Sequence, residues 1–526
     1  MTNKKKNIYL FFLLPIFLYG IYCSLIIGKS WDAFFFINLG KERLAYLFSL
    51  GLKDQSEIFI AEVYPGIYNT LSAFILQLFP KQFELNIFHL TNFSISTLVA
   101  VGTYKLTKKL FNKQIGICAF IIFILLPVFF GHMSINDRDT VTAFSNIWIS
   151  FYVLQYIKLN KDKKKKYIFI LGFLLALGLG VRFAFIATLL PICLYFIYLI
   201  YKLRKKIKIK EIIFDVIKVL LISSLIIIVF WVPTHENIIS KIPQLLKKSF
   251  DTGFGYPFIF LNGEVFESAN YPKNYIFKNL FFKTPEYILI LYALFIGLIF
   301  KIYKNFSNEI NGFRIKLIFV LFNLFLPSIL ILFSPYSLYD GLRLFIYILP
   351  YFSILPAIVC FYLYKNISEL LNKSLLILTL FFKIYYIYIF LTLTPYHYTY
   401  LNLFAGKFSK TNEKFENDYW GTSLRELSKK IKNNQLLKSK GFLKVSICGV
   451  GKGSVNYYLN KVQNLNYKIV GSDKKSDFII IVNRVLWDYD NVNNKNIKTC
   501  FDKYRGESIE EVKRNGLVLS AIKQVD

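Results

Sequence analysis

Between residue 7 and about residue 394 the sequence returns repeatedly to apolar runs as long as a membrane-crossing helix. About 20 apolar residues, rising 1.5 Å each, cover the hydrocarbon thickness of a bilayer. Inside lipid every backbone polar group must be satisfied within its own segment, which leaves the α-helix as the form such runs take. The predicted fold class is therefore a polytopic α-helical membrane protein. Composition agrees, with 55% hydrophobic and 18% aromatic residues. The net charge of +32 would suggest nucleic acid in a soluble domain. Here the lysines sit in short clusters between apolar runs, as topology signals do, so no nucleic-acid partner is expected.

Lys4, Lys5 and Lys6 precede a first span at about 8–28 and put the N-terminus in the cytoplasm. No small-residue cleavage site follows, so this span is read as retained. Further spans are predicted at about 87–104, 115–131, 140–159, 167–181, 184–201, 212–232, 285–303, 317–333, 344–364 and 374–394, giving about 11 transmembrane helices. The stretch from Tyr64-Pro65-Gly66 to Phe79-Pro80 is too short to cross and is read as a helix lying in the interface. Lysines at 105–113, 161–166 and 202–210 then mark cytoplasmic loops, and the Lys-containing stretch 301–316 after the 285–303 span is read as a loop. The loops 29–86, 132–139, 233–284 and 334–343 fall on the opposite side, with the residues after 394.

This topology gathers ionisable residues on one face. Asp32, Asp137, Asp139, Arg182 and Asp340 all lie near span ends on the outer side. A carboxylate beside lipid is expensive, which makes such residues functional candidates. Two bland readings stand beside this one. Arg182 has the position of a snorkelling residue, and Asp340 with Arg343 has the spacing of a structural ion pair. His132, Arg138 and Tyr339 complete the outer-loop candidates.

Residues 395–526 are not membrane-like. Leu443–Cys448, Tyr467–Val470 and Phe478–Val482 read as strands, which predicts a small C-terminal extracytoplasmic α/β domain. Gly449-Val450-Gly451-Lys452-Gly453 fits neither nucleotide-binding spacing and reads as a strand-to-helix turn. Cys448 and Cys500 both fall in this region, and the sequence leaves their pairing open. No CxxC or His/Cys cluster points to a metal. No cofactor is expected, while a divalent ion shared by Asp32 and Asp139 stays open.

Carboxylates and arginines at an outer membrane surface suit a donor that lies in the bilayer with its phosphate at the surface. Arginine offers a planar fork to phosphate, and a carboxylate can take the proton of an acceptor hydroxyl or amine. The activated lipid supplies the energy. The alternative reading is a transporter or flippase of a lipid-linked saccharide, which would favour internal repeats with broken helices at the midplane. No such repeat is visible.

The motifs carry a family resemblance. Asp32 in the first external loop, the Tyr64-Pro65-Gly66 helix and the stretch Gly131-His132…Asn136-Asp137-Arg138-Asp139…Ala143 occur in the order seen in the GT-C superfamily of integral-membrane glycosyltransferases. The chain most resembles the branch of protein O-mannosyltransferases and the lipid A aminoarabinose transferase. Tyr339-Asp340-Gly341-Leu342-Arg343 and Phe415-Glu416-Asn417-Asp418-Tyr419-Trp420-Gly421 resemble further motifs of a bacterial subgroup. The resemblance implies a transmembrane domain over 1–394 and a tail over 395–526, in a bacterial plasma membrane. It implies a polyprenyl-phosphate-sugar donor and a lipid, glycan or protein acceptor. It implies Asp32 as catalytic base, with Asp139 or Asp137 as the second acid and Arg138, Arg182 and Arg343 as phosphate ligands. Relatives often carry two adjacent acids in the first loop. Here the neighbours of Asp32 are Trp31 and Ala33, so the second acid has to come from another loop.

Overall fold

The computed structural model describes residues 3–53, 63–157, 161–205, 208–250, 255–331, 333, 337–439, 441–463, 465–471, 476–491 and 496–525. Asp54, Glu57, Asp251 and residues 334–336 of the expected outer loops lie outside the described residues. Among those described, five helices are long and apolar enough to cross a bilayer: Lys81–Leu110, Ile209–Phe230, Phe313–Leu330, Arg343–Lys365 and Leu370–Thr392. Tyr275–Lys283 and Glu286–Gly297 make a sixth candidate if they are one span, bent by 117° at the break. Of the other expected spans, 8–28, 140–159 and 167–181 are each one helix, Asn3–Ile26, Asp139–Tyr156 and Lys161–Val181, and the rest are shorter or interrupted. Residues 115–131 are divided between Lys113–Ile124 and Pro127–His132. Asn112 caps the first of these, its side chain accepting from the Ile115 N–H. Pro127 starts the second, since proline supplies no N–H to continue the first.

The helices differ in what they bury. Arg343–Lys365 has 78% of its apolar window buried and runs through the centre, whereas Ile209–Phe230 has 11%, packs one side against Lys161–Val181 and turns the rest of its apolar surface outward. An apolar, unburied surface on a helix is a lipid-facing surface. The expected interfacial helix is Ile67–Gln77, eleven residues packed along Ala33–Phe48. At 1.5 Å per residue it is about half the hydrocarbon thickness. Residues 301–316, expected as a loop, are instead mostly helix, Ile299–Glu309, with Ile302 and Phe306 buried on one side.

The C-terminal residues form a five-stranded sheet in which the strands Tyr467–Ile469, Leu443–Cys448, Phe478–Val482, Leu517–Gln524 and Ser508–Arg514 lie side by side in that order. β3 (Leu443–Cys448) runs parallel to β4 (Tyr467–Ile469) and β5 (Phe478–Val482). β7 (Leu517–Gln524) runs antiparallel to β5 and to β6 (Ser508–Arg514). β5 is buried at all five positions, which is why it is a continuous apolar run. A second, two-stranded sheet pairs β1 (Phe258–Leu261) with β2 (Glu264–Glu267) in the segment before Tyr275. Gly449-Val450-Gly451 is the turn from β3 into the helix Lys452–Leu459. Cys448 and Cys500 are joined as a disulfide.

This C-terminal unit is seated against the first loop. Arg425 Nη1 donates to the carbonyls of Leu25 (2.6 Å) and Ile27 (2.9 Å). Tyr458 Oη accepts from the Lys29 N–H at 2.6 Å. A Cβ on Gly28 would collide with the Thr422 carbonyl, so glycine permits this close approach.

Candidate functional site

The first helix ends at Ile26, and the loop that follows presents Trp31 and Asp32 before the helix Ala33–Phe48 begins. The loop is gripped from the C-terminal side. Lys29 Nζ donates to Ser454 Oγ at 3.0 Å, Phe34 meets the Tyr457 ring edge-on at 4.7 Å, and Trp31 faces Gly451. Burial pushes the Lys29 ammonium down to about 8, against the pull of Asp32.

Asp32 points into a network of buried charge. At its centre is Arg343, whose guanidinium reaches Asp340 (Nη1 to Oδ2, 2.7 Å), Asp139 (Nε to Oδ2, 3.2 Å) and Asp32 (Nη2 to Oδ2, 3.5 Å). Arg182 approaches Asp139 from the other side, Nη2 to Oδ1 at 3.2 Å. Asp139 is further fixed by Asn136, whose Nδ2 donates to Oδ2 at 3.1 Å and whose Oδ1 accepts from the Asp139 N–H at 2.9 Å. The side chains of Asp139 and Asp340 are 4% and 2% exposed, while that of Asp32 is 40% exposed. Asp32 is thus the accessible carboxylate of the set, held by a single long contact.

Asp340 sits where the chain turns sharply. It has φ +57° and Gly341 follows at φ +63°. Aspartate is among the few side chains that tolerate the left-handed region, and glycine has no Cβ to clash there. The turn aims Asp340 inward, where it also accepts from Trp420 Nε1 at 3.2 Å. Tyr339, beside it, lies under the Arg343 guanidinium at 5.6 Å from its ring centre, and Trp420 at 4.6 Å.

Three candidates stand aside from Arg343. Asp137 is buried and accepts from Asn69 Nδ2 at 2.7 Å; desolvation lifts its carboxyl to about 6 against the pull of Arg138. Arg138 donates to the Val181 carbonyl at 3.0 Å and lies between the rings of Phe36 (4.8 Å) and Tyr64 (5.0 Å). His132 is beneath the network, its Nε2 2.8 Å from Tyr419 Oη and its ring edge-on to Trp420. The structure thus joins Asp32, Asp139, Arg182, Tyr339, Asp340 and Arg343 directly, and places Asp137, Arg138 and His132 around them.

The sequence reading missed Arg484. It follows β5 and enters the network from the C-terminal sheet, with Nη2 2.9 Å from Asp340 Oδ1. Its Nη1 donates to the Tyr419 carbonyl at 2.5 Å, its Nε is 3.7 Å from Glu416, and it stacks 3.7 Å from the Tyr256 ring centre. Glu416 was read only as part of a motif. Its neighbour in that motif, Asp418, is held by the Thr422 and Ser423 N–H groups at 2.9 Å each and by the hydroxyl of Tyr398. Among the described residues no three His, Cys, Asp or Glu side chains converge as metal ligands.

Burial raises the Glu416 carboxyl from 4.5 to about 7, opposed by Arg484 and assisted by Asp340. An acid whose folded pKa exceeds its unfolded value holds its proton more tightly when folded. Its contribution to stability is therefore full at low pH and is lost as the pH climbs from about 4.5 to 7. At 1.36 kcal/mol per unit this amounts to roughly 3 kcal/mol. Glu416→Gln is expected to match the wild type in thermal midpoint at pH 5 and to exceed it at pH 8. Parallel midpoint curves for the two proteins would refute this assignment.

Comparison with known proteins agrees with the resemblance carried by the motifs. The family model described as dolichyl-phosphate-mannose-protein mannosyltransferase matches residues 68–232. Those residues contain Asn69, Asp137, Arg138, Asp139 and Arg182. The structure of ArnT from Cupriavidus metallidurans bound to undecaprenyl phosphate superposes with a TM-score of 0.51, at 9% identity over 98% of each chain. The apo form of that protein gives 0.50 at 9% identity, over 99% of this chain and 98% of ArnT. The Archaeoglobus fulgidus oligosaccharyltransferase gives 0.48 at 12% identity, over 86% of this chain and 64% of its own length. This chain therefore spans about two thirds of that larger protein. No curated protein sequence matches significantly. At 9% identity the likeness to ArnT is one of fold, over nearly the whole of both chains.

Proposed function

We propose that this chain of GT-C architecture is a membrane glycosyltransferase, moving a sugar from a polyprenyl-phosphate donor to an acceptor at the outer membrane face. The observation that carries this reading is the exposed carboxylate of Asp32 at the edge of a buried arginine–aspartate network. Asp32 takes the proton of the acceptor hydroxyl or amine. The acceptor atom bonds to the anomeric carbon as the bond from that carbon to the phosphate oxygen breaks. Single displacement inverts the configuration, and the polyprenyl phosphate departs carrying the electron pair. Arg343 and Arg182 face the side where that negative charge grows, and Arg138 lies nearby between two aromatic rings. Preorganised cations at a developing charge are an effective form of transition-state stabilisation.

Asp139 is the second acid of this scheme, as a positioning group. It is engaged by two arginines and almost wholly buried, so it orients Arg182 and Arg343 rather than taking a proton. The disulfide supports an extracytoplasmic C-terminal unit, because such bonds persist in oxidising compartments. The unit's grip on the first loop puts that loop on the same side. The membrane domain then occupies 1–394 and the tail 395–526, with about 11 crossings and a cytoplasmic N-terminus.

The test is direct. Purified full-length protein in lipid nanodiscs is incubated with a panel of polyprenyl-phosphate pentoses and hexoses. Sugar transfer, or slow release of free sugar with polyprenyl phosphate, is the expected result. Donors left intact across the panel, with facilitated movement of lipid-linked sugar between leaflets, would establish the flippase reading instead.

A further inference from the structure

We infer that Arg484 is a positioning residue for Arg343, so that the site is complete only when the C-terminal sheet is docked. The inference rests on the proposed function and adds the C-terminal unit to the site. The geometry forms a relay of alternating charge. Arg484 holds Oδ1 of Asp340 at 2.9 Å; Asp340 holds Arg343 through Oδ2 at 2.7 Å; Arg343 then reaches Asp139 and Asp32. Asp340 thus spends its two oxygens on two different guanidinium groups. Without Arg484, Oδ1 would be free to pair with Arg343 as well. A carboxylate and a guanidinium prefer the bidentate fork, and forming it turns the guanidinium away from Asp32, its longest and weakest contact.

Arg484 is itself rigidly placed. Its guanidinium lies on the Tyr256 ring, whose hydroxyl donates to the Val485 carbonyl at 2.5 Å. The Arg484 carbonyl accepts from the Cys500 N–H at 3.0 Å, directly beside the disulfide. The segment after β5 is therefore pinned from the Tyr256 side and from the Cys500 side. Arg484 is 4% exposed; besides Asp340 it faces the Trp31 ring at 5.5 Å, in the loop that carries Asp32. Its path to a phosphate bound at Arg343 runs through Asp340, and the double-variant cycle separates that path from one through Trp31.

That route has a signature which general destabilisation lacks. Binding of undecaprenyl phosphate, the probe, is measured on the full-length protein in nanodiscs for wild type, Arg484→Gln, Arg343→Gln and the double variant. Each single substitution is expected to weaken binding roughly tenfold, the scale of one lost charge-assisted contact. The double variant is expected to bind no more weakly than Arg343→Gln, because a residue that acts only through Arg343 has nothing left to position. Arg484→Lys keeps the charge and the Asp340 contact but not the planar fork, and is expected to fall between wild type and Arg484→Gln. If Arg484→Gln does not fold, the same cycle is run with Arg484→Lys. Multiplying losses in the double variant, or wild-type binding by Arg484→Gln, would overturn the inference and leave the proposed function standing. No binding by the wild type would overturn the donor assignment itself.

Discussion

Asp32→Asn is expected to lower the rate of sugar transfer by about 10²- to 10⁴-fold, the usual contribution of a positioned general base. The substitution keeps the shape of the side chain and removes only its ability to accept a proton. Its structural cost is small for a reason visible in the contacts: the Asp32 side chain is 40% exposed and meets Arg343 at 3.5 Å, whereas Asp139 and Asp340 hold Arg343 at 3.2 and 2.7 Å. An exposed, weakly held ion pair contributes about 0–1 kcal/mol. The variant should therefore elute and melt as the wild type does while losing turnover. Undecaprenyl phosphate should bind at least as well, since a negative charge facing the phosphate has gone. Asp139→Asn is expected to behave differently, because two buried arginines depend on it; it should lose stability and activity together. Wild-type turnover in Asp32→Asn would move the base role to another carboxylate, with Asp137 next in line by its carboxyl near 6.

The contrast between Asp32 and Arg484 shows what a sequence can reveal. Asp32 was legible because charge beside an apolar run is costly and the lysine clusters fix which side it faces. The same logic picked out Asp137, Asp139, Arg182 and Asp340, each close to the end of a span, while Arg343 entered as a phosphate ligand through the motif resemblance. Arg484 carries no such signal. It follows an ordinary buried strand in a lysine-rich chain, and its significance comes from docking of the C-terminal sheet onto loops about 140 and 450 residues earlier in the sequence. Its partner Glu416 lies in a motif that was visible, but burial and the raised carboxyl appear only in three dimensions. The hairpins were missed for a smaller reason. Asn262-Gly263 and Asn515-Gly516 each join paired strands and have positive φ at both residues. Asn-Gly is the strongest short-range hairpin signal, and here it lay between strands of only four to eight residues. The expected loop at 301–316 became helix because Ile302 and Phe306, one turn apart, supply an apolar stripe that the lysine content obscured.

Asp340→Asn is expected to be the most destabilising single substitution in the network. Asparagine tolerates the left-handed backbone that Asp340 adopts, so the turn itself is preserved and the experiment isolates the charge. What is lost is the anion shared by two buried guanidinium groups, those of Arg343 and Arg484. Removing one partner of a buried ion pair typically costs about 3–5 kcal/mol, because the remaining charge stays buried. Arg343 retains Asp139 and Asp32, and Arg484 retains only Glu416 at 3.7 Å, so the uncompensated charge is mostly that of Arg484. It follows that Arg484→Gln, which should cost stability in the wild type, should restore part of the lost stability when added to Asp340→Asn. Arg343→Gln should be milder than Asp340→Asn, since Asp340 keeps Arg484 and Asp139 keeps Arg182. Unfolding in detergent micelles, followed by thermal midpoint, reads the wild type and the four variants on one scale. An Asp340→Asn midpoint at or above that of Arg343→Gln would mean that Asp340 is not the shared anion, and that the two arginines are held independently.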